Sequence, residues 1–285
     1  MKTIENILEN INKIKVDDFG RPSGILLIDK PANISSHDVV NQVRQLLHIK
    51  QVGHGGALDV FASGLEIVLV GKATKLSEEL LVMNKSYQAT VLFGVSTETQ
   101  DTEGKVQQVV TTKPVLTQEQ LENVLKDFDG IQEQYVSPFS SVKINGKKLR
   151  KILRDPAYSY KITDNSDGQR ILTMTCTNKP ENNYTLILPK RKITLSNIQL
   201  INFGYLQEVG QFIKDIKIDF PLPYCEFSLE CTKGTYIRQL AEDIGTKVNL
   251  PSTLIKLKRT SIGPWKTKDA ITIKEFENSL ISSNV

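Results

Sequence analysis

Apolar residues recur with two different periods along the chain, and each period predicts its own kind of element. Strict alternation, or a short apolar run ended by turn residues, is typical of a strand. The clearest case is 225–231, where Cys, Phe and Leu alternate with Glu and Ser. The predicted strands cover residues 24–28, 65–70, 87–95, 171–176, 184–188, 191–201, 211–219 and 225–231.

Helices are predicted where apolar residues recur every three or four positions. Ser35 and Asp38 form a capping-box pattern in front of a helix that has Val39 on its apolar face. Residues 1–20 carry isoleucines at helical spacing and predict an amphipathic leader. Further helices are predicted over 72–83, after Thr117 and from about Thr235.

The order of these elements predicts the fold class. Strands cluster with interspersed helices and show neither regular βαβ alternation nor an internal repeat. That order favours an α+β fold with a mixed, mainly antiparallel sheet flanked by helices. Residues 155–190 are rich in Asn, Thr, Lys and Tyr and contain recurring turn signals, so they predict a small inserted subdomain.

Composition and charge exclude several classes of protein. The 285 residues include 36 Lys+Arg and 32 Asp+Glu, and the net charge of +4 permits a nucleic-acid partner without requiring one. The three cysteines and three histidines lack the spacing of metal ligands, so no metal is predicted, and free thiols favour a cytoplasmic location. No apolar run is long enough to span a membrane, and residues 1–15 lack the apolar core of a signal peptide.

A glycine-rich segment around Asp59 is the first candidate for chemistry. Gly53 and its neighbouring glycines permit sharp turns and let a ligand approach the backbone closely. A carboxylate on such a loop can act as a nucleophile or a base, or it can simply close an Asx-turn. His54 in the same segment can stack on a base or donate to a loop carbonyl. These residues alone leave both alternatives open.

Three further segments carry candidate side chains. Tyr87 begins a strand, where it either covers the core or supplies an aromatic platform or a proton-transfer group. Arg238 follows a basic loop at the start of a helix, where it either pairs with a carboxylate or is solvated. The basic run 143–154 either contacts phosphates or forms an ordinary solvated face.

Taken together, five ordered motifs resemble those of the TruB-type tRNA pseudouridine-55 synthases. The resemblance is collinear and covers about residues 21–154 and 191–272. The matching motifs are GILLIDKP at 24–31 with Ser35 and Ser36, VGHGGALD at 52–59 with ASG at 62–64 and VGKAT at 70–74, KSY at 85–87 with FGVST at 93–97 and DTEG at 101–104, the segment 140–146, and CTKGTYIR at 231–238 with AEDIG at 241–245.

The resemblance implies a pseudouridine-synthase catalytic domain over 21–275, with 155–190 as an insertion and 276–285 as a tail. It implies no full C-terminal RNA-binding domain. The implied reaction isomerises uridine to pseudouridine in the T loop of tRNA, at position 55, with an Asp carboxylate and no cofactor. The implied partner is the T arm of tRNA, and a monomer without an obligate protein partner is expected.

The resemblance also implies roles for particular residues. Asp59 is implied as the catalytic carboxylate, Arg238 as its ion-pair partner, and Tyr87 as the group that stacks on uracil and helps to deprotonate it. The residues implied in substrate or RNA binding are Lys30, Pro31, Gly53, His54, Lys143, Lys147, Lys148, Lys233 and Tyr236.

The chain departs from the family pattern at three positions. Gly55 stands where Thr is usual, Val60 where Pro is usual, and Arg150 where an aromatic residue is usual. The first two departures keep open an alternative function, a tRNA-binding folding chaperone on the same scaffold with weak or no catalysis. A sugar-cleaving hydrolase would need a second carboxylate near Asp59, and no sequence feature clearly supplies one.

Overall fold

Strands and helices mix irregularly along residues 12–16, 21–139, 143–144, 147–179 and 182–282, which are the residues described by the computed structural model. The strands are β1 (Lys15–Val16), β2 (Pro22–Lys30), β3 (Val52–His54), β4 (Ser63–Val70), β5 (Lys85–Phe93), β6 (Val95–Thr97), β7 (Val106–Val109), β8 (Gly130–Tyr135), β9 (Lys143–Ile144), β10 (Lys147–Lys148), β11 (Tyr158–Asp164), β12 (Arg170–Cys176), β13 (Tyr184–Ile187), β14 (Lys190–Leu206), β15 (Leu222–Cys231), β16 (Ser252–Ile262) and β17 (Trp265–Lys266). The α-helices are α1 (Ser36–Leu47), α2 (Ser77–Val82), α3 (Gln118–Asp127), α4 (Leu149–Leu153), α5 (Ile237–Lys247) and α6 (Ile273–Ser282), with 3₁₀ turns at Gly71–Leu76, Val209–Gln211 and Thr267–Asp269.

A central sheet organises the described chain. Its strands follow the order β1-β2-β4-β16-β5-β15-β14-β8, with β3 beside β4 and β17 beside β16. Neighbouring strands are antiparallel except β4 and β16, which run parallel. The predicted α+β class, with a mixed and mainly antiparallel sheet flanked by helices, is confirmed. Because β5 lies between β15 and β16, Tyr87 is opposite Leu229 on one side and Arg259 on the other.

Separate hydrophobic clusters attach the helices to this sheet. Helices α3 and α5 pack on β5, β14, β15 and β16, with Leu121 and Leu240 among the buried side chains. Helices α1 and α6 pack on β2 and β4 through Val39 and Phe276. Helix α1 begins at the predicted capping box, in which the Ser35 hydroxyl accepts from the Asp38 backbone N–H.

A second sheet is formed by residues of the segment 155–190. Strands β11, β12 and β13 are antiparallel and bury Leu172 and Met174 against helix α4. Arg170 connects this small sheet to the main one, since its Nη1 lies 3.4 Å from Oε1 of Glu242 in α5 and its guanidinium lies over the Tyr135 ring. The strands predicted at 171–176 and 184–188 correspond to β12 and β13.

The predicted helical leader is wrong where the structure describes it. Residues 15 and 16 form β1 and pair with β2. Asn12 has a left-handed backbone, and its side-chain oxygen accepts from the Leu27 N–H. Pairing with the free edge of β2 therefore overrides the helical spacing of the isoleucines. The rest of the leader, residues 1–11 and 17–20, lies outside the described residues.

Two further expectations at the C-terminal side need correction. Residues 211–219 are not a strand, since Ile213 and its apolar neighbours pack against Leu92 and Leu222 instead. The expected boundary between 275 and 276 falls inside α6. Phe276 is buried there against α1, β2 and β4, so α6 packs on the sheet as one helix across that boundary.

The described residues contain neither a membrane-spanning helix nor a metal-binding cluster. None of the helices there is both long and apolar enough to cross a membrane. Among those same residues, no group of three or more His, Cys, Asp or Glu side chains is arranged to hold a metal ion.

The burial of α6 gives a test of the fold. Replacing Phe276 with Ala leaves a cavity, and we expect the free energy of unfolding to fall by about 3–5 kcal/mol. Glu277→Ala changes an exposed neighbour on the same helix and should cost no more than about 0.5 kcal/mol. Urea titrations of both variants measure the difference. Equal stability of the two variants would contradict the packing of α6.

Candidate active site

Asp59 lies on the loop of residues 55–62 between β3 and β4, which is called the glycine loop below. Lys30 holds this loop from below. Its ammonium is fully buried, with four backbone carbonyl oxygens around its three N–H groups, and two of these carbonyls, at Val60 (3.3 Å) and Ala62 (2.6 Å), belong to the loop. Burial lowers the pKa of Lys30. Its charge faces these backbone carbonyls, so Lys30 supports the loop from inside the fold.

Arg238, at the start of α5, brings two acidic residues together. Its Nε lies 3.0 Å from Oδ2 of Asp59 and 3.5 Å from Oδ2 of Asp101. Its Nη1 donates to the Thr99 carbonyl at 3.0 Å, and its Nη2 lies 3.5 Å from Oδ1 of Asp59. The predicted pairing of Arg238 with Asp59 is thus present in the structure, together with a second carboxylate on the same guanidinium.

The two carboxylates differ in their access to solvent. The side chain of Asp59 is 39% exposed, while those of Arg238 and Asp101 are 8% and 2% exposed. Burial raises the pKa of Asp101, and the Arg238 guanidinium opposes that shift. Asp101 also accepts from the Thr99 hydroxyl and from the Glu103 backbone N–H. Only Asp59 of the two acids is therefore open to a ligand.

Tyr87 lies on β5 near this ion-pair cluster. Burial raises the pKa of its phenol to about 12, and the positive charge of the nearby Arg259 opposes the shift. Its ring packs at the margin of the core that also contains Leu229. The side chain is consequently a neutral phenol at physiological pH.

His54 ends β3 just before the glycine loop. Its Nδ1 accepts a hydrogen bond from the Gly56 backbone N–H at 3.2 Å, which places the ring proton of the neutral form on Nε2. Burial lowers the pKa of His54, so the neutral ring is favoured. Gly53 precedes it in β3, half-buried beside Thr74.

The remaining predicted binding residues lie on two other segments. Lys233 is exposed in the turn before α5, and Tyr236 is half-buried, with its backbone paired to the Gln134 side chain. Pro31 is exposed beside the glycine loop. Lys148 is half-buried at the end of the β9–β10 hairpin. The side chains of Lys143 and Lys147 lie outside the described residues.

The surroundings of Gly55 explain why glycine stands at this position, where the family pattern has threonine. A Cβ at this position would lie 2.7 Å from a methyl carbon of Leu80 and 3.1 Å from its Cβ. Leu80, in α2, is itself buried. The space that a larger residue would need at position 55 is therefore filled from the neighbouring helix.

Four residues of this region were missed as site candidates. Asp101 and Ser36 fall inside the family motifs, but no role was assigned to either residue. Glu66 and Arg259 sit in ordinary strand patterns, although the structure buries both beneath the glycine loop together with Ser36. A further signal was the charge of Glu66 inside the apolar run of β4.

An open cleft of about 1340 Å³ lies on one face of the central sheet. Its lining includes Phe61 and Ser63, which follow Asp59, and Lys256 and Lys258 of β16. Neither Asp59 nor Arg238 lines it, so the cleft meets the glycine loop at Phe61 and not at the ion-pair cluster.

Comparison with known proteins identifies the class of enzyme. A family model described as "TruB family pseudouridylate synthase (N terminal domain)" matches residues 44–160. A tRNA pseudouridine synthase B of Caldicellulosiruptor saccharolyticus is 36% identical over 260 residues, covering 91% of this chain and 74% of that protein. The Staphylococcus aureus (strain JH9) protein of the same name is 34% identical over 261 residues, covering 90% and 71%. The chain belongs to the TruB family of pseudouridylate synthases.

Solved structures agree on the fold. One chain of a Cbf5-Nop10-Gar1 complex has a TM-score of 0.58 at 20% identity, covering 93% of this chain and 60% of that one. A chain of the archaeal box H/ACA sRNP Nop10-Cbf5 complex has a TM-score of 0.55 at 18% identity, covering 92% and 56%. This chain therefore spans little more than half of those longer chains, and the likeness concerns the fold alone.

The contact at Gly55 is testable with a double-mutant cycle. Gly55→Thr forces a side chain against Leu80, and we expect overpacking to cost about 1–3 kcal/mol of unfolding free energy. Leu80→Ala destabilises by leaving a cavity, but in the double variant the threonine fills part of it. The double variant should then be more stable than the sum of the single changes predicts. Strict additivity of the two changes in chemical denaturation would contradict this.

Proposed function

We propose that this chain isomerises uridine to pseudouridine in the T loop of tRNA, at position 55, with Asp59 as the catalytic carboxylate and without a cofactor. The observation that carries the proposal is the unequal exposure around Arg238. Asp59 is open to a ligand, while the guanidinium that holds it is buried. A carboxylate fixed from behind and accessible in front is already oriented for attack on a bound substrate. The names of the relatives support tRNA as the substrate.

The reaction requires one bond to break and another to form on the same sugar carbon. A carboxylate oxygen of Asp59 attacks C1′, and the bond from C1′ to N1 breaks with its electron pair going to uracil. The detached base turns and C5 attacks C1′, which releases Asp59. The proton on C5 is then lost and N1 gains one, so atoms and charge balance without a redox partner.

Tyr87 acts in this proposal as a neutral phenol. Because burial raises its pKa to about 12, it presents an aromatic face and a hydroxyl to the base but no phenolate. Its hydroxyl can accept the proton from C5 only if another group takes the phenolic proton at the same time. Tyr87 therefore helps to deprotonate C5 as a proton relay and not as a phenolate base.

Access to a paired or stacked uridine requires that the base leave its stack. His54, Pro31 and Gly53 lie on the segments that flank Asp59, where they can contact flipped bases. Lys233 and Tyr236 belong to the turn that leads into Arg238. Exposed cations at such a turn suit RNA phosphates.

The basic hairpin and the small sheet complete the proposed RNA surface. Lys143, Lys147 and Lys148 supply phosphate contacts, and residues 155–190 form an insertion in a catalytic domain that begins at residue 21. We place the protein in the cytoplasm as a monomer, with the T arm of tRNA as its partner.

The alternative functions are less well supported by the geometry. A hydrolase with two working carboxylates would need an accessible second acid, but Asp101 is buried and already bound to Arg238. The departures at Gly55 and Val60 keep open a chaperone with weak or no catalysis. Leu80 fills the space beside Gly55, and the Val60 carbonyl is held by Lys30, so the loop is supported despite both changes.

Asp59→Asn tests the proposed catalytic role. We expect pseudouridine formation on an unmodified tRNA transcript to fall by about 10⁴-fold or more, because the amide cannot attack C1′. The dissociation constant for tRNA should stay within about threefold. Asp127→Asn, at an exposed site at the end of α3, is the control and should keep full activity. Turnover by the Asp59→Asn variant would remove Asp59 from the nucleophilic role.

The pKa of Tyr87 predicts a pH profile. A group that must be ionised to act gives a rate that rises tenfold per pH unit until its pKa, which is about 12 here. Since we assign the neutral phenol to Tyr87, the single-turnover rate should show no such rise between pH 7 and pH 10. A tenfold rise per unit that Tyr87→Phe abolishes would contradict the assignment.

A further inference from the structure

Ser36, Glu66 and Arg259 form a buried network beneath the glycine loop. Oε2 of Glu66 accepts from the Ser36 hydroxyl at 2.8 Å and from Nη2 of Arg259 at 3.2 Å. The three residues are 3%, 0% and 1% exposed. They come from α1, β4 and β16, which are far apart in the sequence and meet only in the folded chain.

The network ends on the backbone of the glycine loop. The Ser36 hydroxyl accepts from the Leu58 N–H at 2.8 Å, and Nη2 of Arg259 donates to the Gly56 carbonyl at 3.1 Å. Leu58 directly precedes Asp59. The orientation of the peptide between residues 57 and 58, one residue before Asp59, is therefore fixed by a side chain outside the loop.

Arg259 also places the network beside Tyr87. It lies opposite Tyr87 in the pairing of β16 with β5, its Nη2 holds the Gly56 carbonyl, and its Nε donates to the Leu65 carbonyl at 2.7 Å. The chain can approach Arg259 this closely because Gly64 has no side chain, and a Cβ there would lie 2.3 Å from the Arg259 carbonyl. Arg259 thus joins the glycine loop to the strand pair that carries Tyr87.

Stability alone is a poor reason for this arrangement. Arg259, Lys30 and Glu66 bury two cations and one anion, and Oε1 of Glu66 has no hydrogen-bond partner among the described residues. Burial raises the pKa of Glu66, as expected where the charged form is penalised. Replacing a buried ion pair by apolar residues is often neutral or stabilising. The network is better explained by its hydrogen bonds to the glycine loop, which hold that loop in place.

We propose that Ser36, Glu66 and Arg259 are positioning residues of the pseudouridylation reaction, which fix Asp59 and Tyr87 at the separation that the substrate requires. None of them needs to touch the RNA. The inference depends on the proposed function. Misplacement of a reacting group by about 1 Å can cost on the order of 100-fold in rate, so loss of the network should appear in the chemical step.

Two adjacent serines provide a matched test. Ser36→Ala removes the acceptor for Leu58, whereas Ser35→Ala removes the cap of the same helix, whose hydrogen bonds go to Asp38. We expect the single-turnover rate of Ser36→Ala on a tRNA transcript to fall about 10- to 100-fold. Its dissociation constant for tRNA should stay within about twofold. Ser35→Ala should lower the melting temperature but keep the wild-type rate within about twofold.

A second pair of variants separates positioning from simple loss of structure. Glu66→Gln keeps an oxygen that accepts from Ser36 and Arg259, whereas Glu66→Leu keeps none. We expect a smaller loss of rate for the glutamine variant than for the leucine variant. Equal rates for Ser36→Ala and Ser35→Ala, or a loss that appears only in tRNA affinity, would overturn the positioning role. Absence of product from the wild-type protein would instead overturn the proposed function and this role with it.

Discussion

The candidate site depends on the ion pairs that the guanidinium of Arg238 makes with two carboxylates. A buried cation must be paired, and the side chain of Arg238 is 8% exposed. Asp59 and Asp101 supply the counter-charges from two different segments, and the Thr99 carbonyl accepts a further hydrogen bond. Three parts of the chain that are distant in sequence must therefore meet at the start of α5 before the site exists.

The glycine loop has one defined conformation although its sequence is rich in glycine. Glycines favour sharp turns but do not choose among them. The conformation of the loop is selected by Lys30, which hydrogen-bonds the carbonyls of Val60 and Ala62 from the core side. Arg238 then fixes the carboxylate of Asp59 from the side. Both contacts are in place before a substrate arrives, and such preorganisation favours electrostatic catalysis.

Much of the fold and part of the site could be predicted from local sequence. The capping box at Ser35, the alternation in β15 and the pairing of Asp59 with Arg238 all followed from short-range patterns or from the family motifs. The predictions that failed share a physical cause, which is that a tertiary contact decided the local structure. Residues 15 and 16 of the leader pair with β2 instead of forming a helix, and the apolar residues of 211–219 cover one face of the sheet instead of forming a strand.

The buried polar residues were harder to find for a related reason. Asp101 and Glu66 each pair with an arginine more than 100 residues away in the sequence. A charge inside a strand pattern says that a partner exists but not which residue it is. Only the register of β16 against β4 and β5 brings Arg259 beside both Glu66 and Tyr87.

The structure of the protein with a T-arm RNA bound tests the central claim most directly. The account predicts one uridine flipped out of its stack, with C1′ about 3–3.5 Å from a carboxylate oxygen of Asp59. Arg238 should remain paired to that carboxylate, and the Tyr87 ring should lie against the base. A T-arm uridine that stays stacked, or that binds with C1′ out of reach of Asp59, would contradict the account.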